Sequence, residues 1–188
     1  MRVLRAADRA ASPWKNGGGI TREVAAWPPG AGFDDFHWRV SMAEVRVDGP
    51  FSAFQGVDRI LAVLEGRLAL DIEGRGTITL DGAAPPAVFP GDAPTVGRVL
   101  AGPVTDLNVM SRRGAVRADL TRLEIRPRLT LAPADGARLL VARSPLRISA
   151  PQRFDLAVDD ALLLGADDPP VTLEADGATA WLAAFRSI

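Results

Sequence analysis

The stretch Ile60-Leu61-Ala62-Val63-Leu64-Glu65-Gly66-Arg67-Leu68-Ala69-Leu70-Asp71-Ile72 places two short apolar segments on either side of a charged centre that contains a glycine. The first segment is a continuous apolar run, which is typical of a buried strand, whereas apolar residues alternate with others in the second, which is typical of a half-buried strand. The stretch therefore predicts two β-strands joined by a tight turn at Glu65-Gly66-Arg67.

The same rhythm of short apolar runs and turn residues extends through most of the chain. The 18 glycines and 15 prolines recur about every eight to twelve positions, and helical periodicity is weak throughout. This spacing favours an all-β sandwich or barrel. Further strands are predicted between His37 and Val45 and at Thr77–Leu80, Ala87–Phe89, Val96–Leu100, Thr105–Met110, Arg117–Ile125, Arg138–Ala142, Leu146–Ser149, Phe154–Val158, Ala161–Leu164, Val171–Leu173 and Thr179–Phe185.

Composition limits the class of protein. With 188 residues, 47% of them hydrophobic, the chain can form one large domain or two small fused ones. The formal net charge is −1 and the arginines are scattered among acidic residues, so no nucleic-acid partner is expected. No apolar run is long enough to span a membrane and no signal peptide is evident, which predicts a cytoplasmic protein without a membrane partner.

Metal chemistry is disfavoured by the residue types present. The chain has no cysteine and one histidine, His37. Thiolate metal sites are therefore excluded, and catalytic zinc or iron sites usually draw on two or three histidines. We expect no metal and no cofactor.

The lysine at position 15 is the only lysine among 22 strong bases, and it lies in Pro13-Trp14-Lys15-Asn16-Gly17-Gly18-Gly19. A compact ammonium differs in shape and hydration from a guanidinium, so a site that needs a lysine would retain it. Successive glycines allow a backbone to approach a ligand closely and to present N–H groups to an anion. The alternative is that Lys15 lies on an ordinary surface turn.

Other polar residues are candidates for the same site. Arg39 and Asn108 each lie between apolar neighbours on a predicted strand, which places them on the opposite strand face from those neighbours. Asp58 and Arg59 precede the apolar run at Ile60, and Arg22 follows the triple glycine. For the arginines and for Asp58 the alternative is a structural ion pair.

Several strings in the first 114 residues resemble the HutD/Ves family, in the order in which the family carries them. They are Pro13–Gly19, Thr21-Arg22-Glu23, Trp38-Arg39-Val40-Ser41, Asp48-Gly49-Pro50-Phe51-Ser52, Gly56-Val57-Asp58-Arg59 and Asp106-Leu107-Asn108-Val109-Met110. The resemblance implies a bicupin, two fused cupin-like β-barrel halves (1–115 and 116–188) in one compact body of residues 1–188. It also implies a regulatory role associated with histidine utilisation.

The resemblance can be examined at the positions where metal-binding cupins carry their ligands. If Gly66 is the glycine that closes the first cupin motif, Arg59 occupies the glutamate position. In the second motif Pro94 follows Gly91 where the histidine is expected. The resemblance thus implies a cupin in which metal ligands are replaced by other polar residues.

Together with the basic residues, the resemblance predicts a metal-free protein that binds a small carboxylate, such as formylglutamate, urocanate or a related intermediate, and that regulates histidine catabolism. The predicted ligand-binding residues are Lys15, Asn16, Gly17, Gly18, Arg22, Arg39, Asp58, Arg59 and Asn108. One alternative is a cofactor-free isomerase or hydrolase with Lys15 or Asp58 as acid or base, and another is an interaction scaffold. A monomer and a homodimer both remain open.

Overall fold

A computed structural model describes residues 1–14 and 17–188 and confirms the all-β class. One 3₁₀ turn at Ala6–Asp8 is the sole helical element of these residues, and none of their helices has the length and apolarity to cross a bilayer. The strands are β1 (Arg2–Leu4), β2 (Ala11–Pro13), β3 (Gly19–Trp27), β4 (Trp38–Val45), β5 (Gly49–Pro50), β6 (Val57–Ile72), β7 (Gly76–Asp81), β8 (Ala87–Pro90), β9 (Thr95–Arg112), β10 (Val116–Ile125), β11 (Arg128–Leu131), β12 (Arg138–Ala142), β13 (Leu146–Ala150), β14 (Phe154–Leu156), β15 (Ala161–Leu164), β16 (Val171–Glu174) and β17 (Ala178–Ser187).

The N-terminal unit comprises Ala10–Arg117 together with Ile188. Its sheet has the order β2-β3-β4-β9-β6-β7, with β5 added to β9 and β8 added to β6. Fully buried side chains such as Leu61, Leu68 and Phe89 form its core. This unit carries the candidate site described below.

The C-terminal unit comprises Met1–Arg9 and Ala118–Ser187. Its two sheets have the orders β1-β15-β12-β17-β10 and β11-β16-β13-β14 around a separate apolar core. The first nine residues of the chain therefore belong to this unit, because β1 pairs antiparallel with β15. Within the described residues no sheet closes on itself by strand pairing.

The turn predicted at Glu65-Gly66-Arg67 is wrong. The two apolar segments belong to one strand, β6, which pairs with β9 on both sides of this point, and the register shifts between Val63 and Leu68. Gly66 has φ +78°, and a Cβ there would lie 2.7 Å from the carbonyl oxygens of Ala101 and Pro103. A glycine with positive φ inside a strand produces a bulge, so the chain bends without reversing.

The strand β3 was not predicted, although it begins at the last glycine of the triple-glycine run. Gly19 pairs with Val45, and its backbone lies close to the backbone of β4. A Cβ at this position would lie 2.5 Å from the carbonyl oxygen of Glu44 and 3.0 Å from Cδ2 of Trp14. The glycine is thus required by the close approach of two backbones and an indole ring.

We expect Gly19→Ala to lower the free energy of unfolding by about 1–3 kcal/mol, because the added methyl group has no space and must displace β4 or Trp14. Thermal unfolding followed by circular dichroism measures this loss. Gly32→Ala is the matched control, since the nearest atom to its Cβ would be Asp35 Oδ2 at 3.9 Å. Equal melting temperatures for the two variants would contradict the prediction.

Candidate functional site

The register of three neighbouring strands brings polar side chains onto one face of the N-terminal sheet. Arg39 of β4 lies opposite Met110 of β9, which in turn lies opposite Arg59 of β6. Asn108, two residues before Met110 on β9, lies opposite Ser41 of β4. Directly paired residues project to the same side of a sheet, so these side chains share one face.

This face borders a cavity of about 580 Å³. All of the described residues that line it belong to the N-terminal unit. They are Ser12, Pro13, Trp14, Thr21, Phe33, Arg39, Ser41, Ala43, Pro50, Phe51, Ser52, Phe54, Arg59, Asp106, Asn108 and Met110. A concave, largely apolar pocket with a few convergent polar groups is the usual form of a small-molecule site.

Arg59 is buried, with 4% of its surface exposed. Its Nε donates a hydrogen bond to Oδ1 of Asn108 at 3.3 Å, and its Nη1 donates to the carbonyl oxygen of Ser52 at 3.3 Å. Burial lowers the pKa of this guanidinium to about 10, an effect that the charge of Asp106 opposes and that of Arg39 reinforces. Arg59 is therefore cationic at neutral pH, and its Nη2 donates to none of the described residues.

Aromatic rings surround the Arg59 guanidinium. Its Cζ lies 5.0 Å from the ring centroid of Phe51, 5.3 Å from that of Phe89 and 5.9 Å from that of Phe54. Cations over ring faces are attracted by the quadrupole of the ring. The rings therefore hold the guanidinium in place without neutralising its charge.

Arg39 forms the second cation of the cavity. Its Nε donates to Oε2 of Glu23 at 2.8 Å, its Nη1 lies 3.5 Å from the hydroxyl of Ser41, and its Cζ lies 4.9 Å from the ring centroid of Phe33. The carboxylate of Glu23 is half exposed, so the pair is only partly desolvated. As with Arg59, the Nη2 of Arg39 donates to no described residue.

Asp106 is the acidic group of the cavity. It lies on β9 opposite Ala43, exposes 1% of its surface, and neither carboxyl oxygen receives a hydrogen bond from residues 1–14 or 17–188. Burial raises its pKa to about 7, and the charge of Arg59 only partly opposes this rise. A buried carboxyl group without donors is uncommon in proteins.

The structure brings together three of the predicted site residues, Arg39, Arg59 and Asn108, on the cavity wall. Asp58 does not line it, since the neighbouring residue of a strand points to the other face, and it pairs instead with Arg113 at 2.9 Å. Arg22 lies opposite Met42, on the reverse face of the sheet from Thr21.

Of the predicted glycine loop, the structure describes Gly17 and Gly18. Gly17 is exposed and Gly18 is buried, and neither lines the cavity. Trp14, which precedes the loop, does line it and donates from Nε1 to the hydroxyl of Thr21 at 2.8 Å. Lys15 and Asn16 lie outside the described residues.

Two groups of cavity residues were missed from the sequence. Asp106 precedes Asn108 by two positions on one strand, and this period-two spacing is the signal that could have placed both on one face. Phe33, Phe51 and Phe54 lie outside the strands. No periodicity marks such residues, and only their contacts with the arginines reveal their role.

The cavity does not fit a bound metal ion. Among the described residues, no group of three histidine, cysteine, aspartate or glutamate side chains is placed to hold one. Asp106 is the single carboxylate on the cavity wall, and it shares that wall with Arg39 and Arg59. Two guanidinium groups repel a cation and favour an anion.

Fold and site together define a cupin-like, all-β protein with an arginine-lined cavity. A cupin 2 conserved barrel domain protein from Leptotrichia buccalis shows the same fold, with a TM-score of 0.61 and 10% identity over 95% of this chain and 92% of that one. The HutD family model matches residues 6–183, so the chain belongs to the HutD family.

The relatives agree with this assignment. An uncharacterised 21.2 kDa protein in the hutC 3′ region of Pseudomonas putida is 34% identical over 94% of this chain and 93% of its own length. Protein Ves of Citrobacter koseri is 39% identical over 56% of this chain and 54% of its own. The structure of HutD from Pseudomonas fluorescens SBW25, obtained in a formate condition, has a TM-score of 0.84 and 25% identity over 100% of this chain and 98% of that one.

Proposed function

We propose that this protein binds a small carboxylate in the N-terminal cavity without a metal ion, and that it regulates histidine catabolism in the cytoplasm. The observation that carries the proposal is the pair of arginines that share one wall of the cavity. Each uses two guanidinium nitrogens within the protein and retains an Nη2 without an acceptor among the described residues. An anion with two acceptor oxygens satisfies these donors.

The surroundings of the two arginines favour a carboxylate over a larger or more highly charged anion. Asn108 accepts a hydrogen bond from Arg59 through Oδ1, which leaves its amide nitrogen as a neutral donor in the same cavity. Phenylalanine rings over both guanidinium groups provide apolar surface for a carbon skeleton. Planar guanidinium donors match the geometry of a carboxylate.

The proposed regulatory role rests on the genomic location of a relative. A relative of nearly the same length lies in the hutC 3′ region of Pseudomonas putida, which favours a role alongside histidine utilisation. The ligand would then be a carboxylate intermediate of that pathway, and formylglutamate and urocanate are the candidates. A monomer and a homodimer are both compatible with this proposal.

Calorimetric titration with formylglutamate, urocanate and formate tests the binding function. A ligand present at 100 times its dissociation constant should stabilise the folded protein by about 2.7 kcal/mol, which raises the melting temperature visibly. Sodium chloride at equal ionic strength controls for salt. If no acid gives heat or thermal stabilisation, the proposal fails.

Lys15 is proposed to supply a further positive charge to the ligand, because Trp14 directly before it lines the cavity. We expect Lys15→Met to weaken binding by a factor on the order of 10 to 100, as a charge-assisted hydrogen bond is worth about 1.5–3 kcal/mol. Lys15→Arg should also weaken binding, because a planar fork does not replace a compact ammonium.

Titration of wild-type protein and both Lys15 variants measures this effect. Arg46→Met is the matched control, because Arg46 is exposed and pairs with Glu44 at the surface, outside the cavity. It removes one positive charge from the same unit without touching the site. Equal affinities for the Lys15 variants and the control would contradict a role for Lys15 in binding and favour the alternative of an ordinary surface turn.

A cofactor-free enzyme is the second candidate, and Asp106 favours it. A carboxyl group with a pKa of about 7 is suited to general acid–base catalysis at neutral pH. Asp58, the acid suggested by the sequence, does not line the cavity, so this role passes to Asp106. Nuclear magnetic resonance of the bound acid over hours distinguishes the two functions, since an enzyme converts it and a binding protein returns it unchanged.

We also propose that the two units are cupin-like halves of one bicupin body. Each unit has its own sheets and its own apolar core. The C-terminal unit is discontinuous in sequence, because residues Arg2–Leu4 at the start of the chain pair with β15.

A further inference from the structure

We propose that Asp106 selects ligands that carry a positively charged nitrogen in addition to the carboxylate, so that the cavity recognises a small zwitterion. This inference rests on the proposed function, in which Arg39 and Arg59 bind the carboxylate. It adds a second recognition point, at a residue that was not among the predicted ligand-binding residues.

The two recognition points lie at different levels of the same strand. Arg39 and Arg59 both lie opposite Met110, but their guanidinium groups extend toward Asp106. Nε of Arg59 donates to Asn108, and Nη1 of Arg39 lies 3.5 Å from the hydroxyl of Ser41, which is paired with Asn108. Asp106 lies two residues before Asn108, which corresponds to about 7 Å along an extended strand. Because alternate residues share a face, Asp106, Asn108 and Met110 form one row along the cavity wall. The row therefore runs from an acidic end to a basic end.

Asp106 lacks the partners that a buried carboxyl group needs. Neither oxygen accepts a hydrogen bond from the described residues, although both are shielded from solvent. Burial of a polar group without a hydrogen bond costs free energy, and native proteins usually provide a donor. Asp106 lines the cavity, so we expect a bound molecule to provide that donor.

The neighbours of Asp106 leave room for a ligand group and do not compete for it. Directly opposite on β4 is Ala43, whose side chain is a single methyl group, and opposite Ala43 on β3 is Thr21. The Thr21 hydroxyl accepts a hydrogen bond from Trp14 and donates none to Asp106, from which it is separated by β4. Val63 of β6, on the other side of Asp106, is apolar.

Charges on the same face direct a zwitterion into one orientation. Among the residues that the structure describes, the charged groups that face this region are Arg59 of β6, Arg39 of β4 and Glu23 of β3. Glu23 is engaged by Arg39, which leaves Asp106 as the acidic group available to a cationic nitrogen. The pKa of Asp106 is about 7, so near neutral pH part of the protein carries a protonated Asp106. An ammonium group bound beside it favours the carboxylate form and displaces that proton.

Matched pairs of acids test the inference. In 5-aminopentanoate an ammonium group replaces the terminal methyl group of hexanoate, and 4-aminobutanoate is related to pentanoate in the same way. Titration calorimetry at pH 8 should show that the wild-type protein binds the better of the two amino acids more tightly than its alkyl partner, by a factor on the order of 10 to 100. At pH 6.5 this binding should also release a proton, which is seen as a dependence of the heat on the ionisation enthalpy of the buffer.

The variants Asp106→Leu and Asp106→Asn assign the discrimination to this side chain. Asp106→Leu should abolish or reverse the preference, because a leucine favours the methyl group, while hexanoate binding persists. Asp106→Asn retains the shape of the aspartate should the leucine variant fail to fold, and it should remove the proton release.

The outcomes separate this inference from the proposed function. Equal affinity for both members of every pair overturns the role of Asp106 and leaves carboxylate binding intact. A preference that survives in both Asp106 variants likewise overturns it. Absence of binding by all four acids, by formate and by the pathway carboxylates overturns both proposals.

Discussion

Carboxylate binding by the Arg59→Met variant is expected to be weaker than wild-type binding by a factor on the order of 100 to 1000. Removal of one member of a buried, hydrogen-bonded charge pair costs about 2–5 kcal/mol. Arg59 exposes only 4% of its surface, and its guanidinium lies over the rings of Phe51 and Phe89. The measurement is calorimetric titration with the tightest-binding carboxylate.

Two further variants make the Arg59 prediction specific. Arg112→Met is the matched control, because Arg112 also stacks on a phenylalanine, with its Cζ 5.2 Å from the Phe36 ring centroid, but does not line the cavity. It should lose a similar cation–π contact and retain binding. Arg59→Lys keeps the positive charge but lacks the planar guanidinium that donates two parallel hydrogen bonds, so it should give an intermediate affinity. Tight binding by Arg59→Met would place the carboxylate elsewhere.

A second large effect is expected on the pH dependence of stability, through Asp106. Its pKa of about 7 in the folded protein lies above the value of about 3.9 for an unfolded chain. Between these values the folded protein binds more protons than the unfolded chain, so the free energy of unfolding falls as the pH rises. Asp106→Asn removes this proton uptake. The variant should therefore gain stability relative to wild type by about 3 kcal/mol between pH 5 and pH 8.

Urea unfolding of both proteins at several pH values across this range measures the gain. Asp92→Asn is the control, because Asp92 is a carboxylate at the surface whose pKa is lowered by hydrogen bonds from Arg113. Its charge does not change over the same range, so it should show no pH-dependent gain. A constant difference between Asp106→Asn and wild type would show that Asp106 is ionised throughout.

Much of the fold was predictable because strand formation depends on local patterns. Runs and alternation of apolar residues placed strands at Arg138–Ala142 and Ala161–Leu164 with the bounds that the structure has. Short strands such as β1 and β2 escaped prediction, since a strand of three residues has no measurable period. Their existence depends on partners elsewhere in the chain.

The bend at Gly66 shows where local patterns mislead. A glycine between two apolar segments is compatible with a turn and with a bulge, because both use a positive φ. Pairing decides between them, and β6 pairs on both sides of Gly66 with β9, whose residues are distant in sequence. The same local signal therefore has two structural outcomes.

Part of the candidate site was likewise predictable from local patterns, and part depended on tertiary contacts. Alternation along a strand was enough to place Arg39 and Asn108 on a face opposite their apolar neighbours, since side-chain direction is fixed by the backbone period of two. Only the tertiary structure decided that Asp106 carries a raised pKa, because the burial that desolvates it depends on neighbours from two other strands, Ala43 of β4 and Val63 of β6. It also decided that Phe33 and Phe51 cover the arginines, since residues outside the strands have no period to reveal what they contact.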